Sequence, residues 1–91
     1  MDLTSRQLVL KKLAIAFPDP IIAAEALLSL DRYGNQDSEP ATEGVQLAII
    51  KLSDGRLWEL GELVQTARRD FRDVLYPAQR DLKEWHEWLQ S

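Results

Sequence analysis

Apolar positions recur every three or four residues through most of this chain, and the rhythm breaks at stretches rich in Pro, Gly and acids. In "TSRQLVLKKLAIAF", Leu8, Val9, Leu13 and Ala16 fall at helical offsets, with Thr4 or Ser5 available as a cap, so a helix is expected over about 4–17. Pro18 and Pro20 bracket Asp19; the first helix should stop before Pro18 and the second begin with Asp19 as N-cap and Pro20 in its first turn. That second helix, "PIIAAEALLSLDRY", covers about 20–33 and should end at Gly34 in a left-handed cap. The acid-, Gly- and Pro-containing segment at about 34–40 is expected to be the mobile loop and the weakest candidate for a site.

Val45, Ala48, Ile49 and Leu52 then predict a helix over 41–53. Here a rival exists, because Asp54-Gly55 is a hairpin signal and "VQLAIIKL" and "RLWEL" would serve as paired strands. The following residues favour helices: Leu57, Leu60, Val64, Ala67, Phe71 and Val74 step alternately by three and four, which no strand can bury on one face. They predict a continuous helix over 56–76, about 31 Å long at 1.5 Å per residue and the natural spine of the fold. Ser53-Asp54-Gly55 becomes a corner in which Gly55 ends one helix and Ser53 or Asp54 caps the next. Pro77 ends or kinks the spine, and a last helix follows over about 78–90. The expected architecture is all-α, a compact bundle of four to five helices (4–17, 20–33, 41–53, 56–76 and 78–90) in one domain spanning 1–91.

The stretches "VQLAIIKLSDG" and "ARRDFRDVL", within residues 45–76, resemble a segment of small bacterial helical proteins with no assigned activity. The resemblance implies helices and a bacterial source, and no catalytic residue.

Composition narrows the chemistry. The chain has no cysteine, which removes disulfides, thiol nucleophiles and thiolate metal sites and fits a reducing cytosol. "LAIAF" is far shorter than the roughly 20 apolar residues of a bilayer span, and Asp2 and two lysines spoil a targeting signal, so a soluble cytoplasmic protein is expected. A net charge of −4 with interspersed signs opposes general attraction to phosphate or anionic lipid.

The only histidine, His86, lies in "DLKEWHEWLQS" between Trp85 and Trp88 and near Glu84 and Glu87. Helical metal pairs want ligands three or four apart, whereas Glu84 and His86 point roughly 200° apart and His86 and Glu87 roughly 100° apart. Even with Glu59 or Glu62 enlisted, no metal site is expected, and no cofactor or small-molecule ligand is indicated. No phosphate-cradling glycine motif is present, and the serines sit mainly at caps, in the loop or at the terminus, so no catalytic residues and no enzyme activity are expected. Arg68 and Arg72 form the one freely basic stripe, since Arg69 has Asp73 four residues on; they would serve a small nucleic-acid-associated regulator. Glu59 and Glu62 near the start of that helix have the wrong sign for phosphate, which makes nucleic acid the lesser alternative. Arg6, Lys11 and Lys12 give the first helix a weakly basic face, but a core helix with surface lysines explains it without a membrane.

The favoured function is a non-enzymatic protein–protein interaction or assembly module, with self-association as one form. Trp58, Arg72, Tyr76 and Trp88 are the expected interface anchors, because tryptophan, tyrosine and arginine dominate contact energies. Gly61 beside Trp58 should admit a closely packed helix. A stripe of Ala78, Leu82, Trp85 and Leu89 should pack the last helix on the core, leaving Trp88 to one side.

Overall fold

The computed structural model describes residues 3–36 and 39–91, with side chains from Arg6 onward. It contains α1 (Leu3–Ala16), α2 (Pro20–Leu30), α3 (Thr42–Ser53), α4 (Leu57–Arg69), α5 (Arg72–Ala78) and α6 (Leu82–Gln90). No strand occurs among the described residues, and the chain folds all-α into extents of 29 × 28 × 27 Å. The expected caps at Thr4 and Ser5 lie outside the described side chains, and residues 37 and 38 of the expected mobile loop lie outside the described residues.

Local chemistry explains most boundaries. Asp19 takes an extended backbone and its Oδ1 accepts from the amides of Ile21 (2.9 Å) and Ile22 (3.4 Å), with Pro20 opening the helix. Regular helix ends at Leu30 rather than residue 33, and the chain tightens through turns to Gly34 at φ 103°. A Cβ at Gly34 would lie 2.4 Å from Thr42 Cγ2, so glycine is required there on both counts. The Asp54-Gly55 pair makes a helix corner, with φ of 52° and 76°, and not a hairpin. Neither Ser53 nor Asp54 caps α4; Ser53 Oγ donates instead to the Ile50 carbonyl at 2.8 Å, and α4 begins after Arg56 without a side-chain cap.

The predicted 56–76 spine is two helices. Asp70 is extended, and its Oδ1 accepts from the Arg72 amide at 3.0 Å, so a short acid diverts a backbone donor that a continuous helix would have used. Six helices result where four to five were expected. Helix α3 holds the centre: Val45 to Ile50 are buried without interruption, and α1, α4 and α5 all pack on it. "VQLAII" is nearly apolar all round, the composition of a helix enclosed on all sides. Leu60, Val64, Ala67 and Val74 still face the core across the break, because α4 and α5 address the same central helix.

The last helix also starts later than expected. Ala78 closes α5, one residue after Pro77, and α6 opens at Leu82 with Asp81 as N-cap, its Oδ1 accepting from the Glu84 amide at 3.1 Å. Leu82 is consequently exposed and leaves the predicted stripe, while Trp85 is buried as expected.

Candidate functional site

Each anchor named from the sequence has a definite place, and the anchors do not converge. Trp88 is half-buried: its ring stacks on Trp85 at 5.6 Å, and the Lys12 ammonium sits 4.8 Å over it. Part of its surface is thus taken up inside the chain, and the rest is open to solvent. Arg72 is exposed but forms a two-pronged pair with Asp70 (2.9 and 3.0 Å). Tyr76 is exposed on α5, and Trp58 on α4 is 68% exposed.

The basic stripe is not free either. Arg68 Nε donates to Glu39 Oε2 at 3.1 Å, and with Arg72 held by Asp70 both arginines are already paired with carboxylates. Arg68 and Arg72 moreover lie on separate helices. The expected Arg69–Asp73 pair does not form; Arg69 reaches Thr66 Oγ1 at 3.5 Å.

Glu39 itself is buried and accepts from the amides of Gly34 (2.8 Å) and Asn35 (3.1 Å), tying the 34–40 segment to α4. Burial pushes its carboxyl up, but the Gly34 amide, the Arg68 guanidinium and the Asn35 amide outweigh that and bring the pKa below the ordinary 4.5. A depressed carboxylate contributes stability that is complete above about pH 4.5 and is lost as pH falls through the lower folded-state value. Glu39→Gln should therefore melt earlier than the parent at pH 7 and lose less on acidification. Thermal melts between pH 7 and 3 check this, and parallel acid losses in the two proteins would contradict it.

A cleft of about 280 Å³ lies between α1, the α3–α4 corner and α6, with Ile15, Lys51, Asp54 and Trp88 among its walls. Lys12 also lines it yet is only 3% exposed, and its ammonium donates to the Trp88 carbonyl, the Ser91 carbonyl (3.1 Å) and Ser91 Oγ (2.9 Å). An ammonium has three donors, so these contacts account for all of them. Burial, reinforced by the charge of Lys11, lowers its pKa. Lys51 on the rim pairs with Glu84 at 2.8 Å. His86 and Glu87 are exposed, and among the described residues no three His, Cys, Asp or Glu side chains are placed to hold a metal ion.

The feature missed in the sequence is the outer side of α2. At 100° per residue, Ile21, Ala24 and Leu28 share an arc of roughly 60°, opposite buried Ala26 and Leu30. Leu28 is 76% exposed and Ile21 74%, and Glu25 is the only ionisable residue within the helix. Such an all-round apolar helix is ordinarily buried on every side, as α3 is. On one flank runs α4: Gly61 faces Ser29, where a Cβ would be 3.9 Å from the serine Oγ. Two turns further along α4, Arg68 reaches the glutamate that holds Gly34, so α2 and α4 run in the same direction. Trp58, one turn before Gly61 and turned further from the core, is an exposed apolar ring on the flank of α4 that faces α2. The signal available in the sequence was the near absence of polar residues in "PIIAAEALLSL".

No helix among the described residues is long and apolar enough to cross a membrane. Compared with family models, curated proteins and solved structures, the chain matches none.

Proposed function

We propose that this chain is a non-enzymatic protein–protein interaction module whose docking face is the outer side of α2, extended by Trp58. The observation that carries this is the exposure of Ile21 and Leu28, 74% and 76%, on a helix that is already apolar on its core side. Isolated surface leucines are ordinary, whereas grouped large apolar residues with a tryptophan beside them mark contact surfaces. Tryptophan at the edge of such a face adds large area and an N–H donor. Neither Leu28 nor Ile21 belongs to the buried core, so covering them leaves the fold unchanged.

A photo-crosslinking residue placed on the face provides the test. With Leu28→benzoylphenylalanine in the native cells, irradiation should yield a discrete covalent adduct to protein. The same residue at Glu87, which is exposed on α6, should not. No adduct at position 28, or identical adducts at both positions, would overturn the proposal.

A further inference from the structure

Resting on that reading, we infer that the occupant of the α2 face is a second copy of this chain, docked α2 against α2 in antiparallel sense about a two-fold axis. Ala24 is a small residue between Ile21 and Leu28, each about one turn away. With the axis passing between the turns of Ala24 and Leu28, Leu28 of each copy enters the recess above Ala24 of the other, and the same contact is made twice.

Charge points the same way. Glu25 lies at the middle of α2, about 40° from the Ile21 direction, and Arg32 lies in the turn that follows the helix, four residues beyond Leu28. Both are exposed, and among the described residues neither is in an ion pair; the pairs present are Arg6–Asp31, Lys51–Glu84, Arg68–Glu39 and Arg72–Asp70. In that register the Arg32 of an antiparallel copy lies about five residues, roughly 7.5 Å along the axis, from Glu25, a span the two long side chains can bridge, and the reciprocal pair is the same. A parallel copy would set like against like. A purely basic partner would satisfy Glu25 and be repelled by Arg32, so a face carrying an acid and a base seven residues apart is the better match. This chain has such a face. Antiparallel helices also oppose their dipoles.

The size of the contact sets its strength. An eleven-residue helix is about 16 Å long, and a seam of that length with Trp58 at its edge falls short of the roughly 800 Å² per partner of standard interfaces. A reversible dimer with micromolar affinity is the expected result.

Sedimentation velocity from 5 to about 500 µM on the full chain decides it, supported by circular dichroism to show that each variant is folded. The parent should convert from monomer to dimer over that range, and Leu28→Glu should stay monomeric. Glu25→Arg alone, or Arg32→Glu alone, places like charges at both symmetric contacts and should weaken self-association about tenfold. Mixed in equal amounts, those two variants should form a heterodimer of parental strength, because both opposite-charge contacts are then restored. A parent that remains monomeric throughout, or a mixture no stronger than its components, would overturn the inference. If position 28 crosslinks only to a different protein while the chain stays monomeric, the second copy is excluded and the docking face stands. A dimer that survives Leu28→Glu would exclude α2 as the seam.

Discussion

Replacing Trp85 with alanine should lower stability by about 3–5 kcal/mol, the range for large aromatic truncations in cores. For a chain of this length the whole folding free energy is only about 5–14 kcal/mol, so the variant should melt at least 12 °C or so below the parent. Trp85 is 5% exposed, is the one buried residue of α6, and supports the Trp88 ring on which Lys12 rests. Its loss removes the one fully buried anchor of α6, leaving partly buried Trp88 and Leu89, the Lys12 contacts at the helix end, and the Lys51–Glu84 pair, whose glutamate is exposed and whose contribution is small. Trp58→Ala is the internal comparison, because that ring is mostly in solvent and its removal should change stability by less than about 0.5 kcal/mol. Thermal unfolding followed by far-ultraviolet circular dichroism distinguishes the two; equal effects would refute the placement of both tryptophans.

Gln46→Leu should cost about 2–3 kcal/mol although it makes α3 more apolar. Gln46 is buried, and its Nε2 donates to the carbonyls of Leu30 and Tyr33, each at 3.2 Å, and to Asp31 Oδ1 at 3.3 Å. Its Oε1 accepts from Arg6 Nη1 at 3.1 Å, and Arg6 in turn grips Asp31 with two bonds of 3.0 Å. One amide thus closes the C-terminal end of α2, where helical carbonyls run out of partners. Leu30 O keeps a bond from the Tyr33 amide, but Tyr33 O is left with no donor among the described residues, and a buried acceptor without a partner costs about 1–3 kcal/mol by itself. Urea denaturation measures the total. Hydrogen exchange should show the loosening at residues 30–34; a stability at or above the parent's would mean that the network is dispensable.

These two residues illustrate what was and was not legible before the fold was known. Asp19-Pro20 announced a helix start because capping is settled by neighbours in the chain, and the Asp54-Gly55 corner followed from the three- and four-residue steps after it. The same steps concealed the break at Asp70. Apolar spacing records which face meets the core; α4 and α5 meet the same helix, so the rhythm runs on where the backbone does not. Counting Ala78 and Leu82 into one stripe failed for the related reason that the count crossed a helix boundary.

Long-range pairing was harder to foresee. Arg68 reads as free in the sequence because its partner Glu39 is 29 residues away, and the carbonyls that Gln46 satisfies lie 13 and 16 residues back, where no local pattern reveals them. The residue type and helical angle that place Trp88 at a surface carry no sign of the α1 lysine whose ammonium sits over its ring. For α2 the pattern was visible but ambiguous: an apolar helix can be enclosed by its own chain, as α3 is, or left partly open. Only the packing shows that neighbours run out on the Ile21, Ala24 and Leu28 side.

The adjacent lysines of α1 have a use in the laboratory. Lys11 is exposed to solvent, whereas Lys12 is enclosed with its ammonium committed to oxygens at the end of α6. An amine-directed acylating reagent at mildly alkaline pH will therefore modify Lys11 readily and spare its neighbour while α6 is in place. The ratio of labelling at two successive residues, read from a single peptide, becomes a reporter of α6 docking that needs no mutation and no fluorophore.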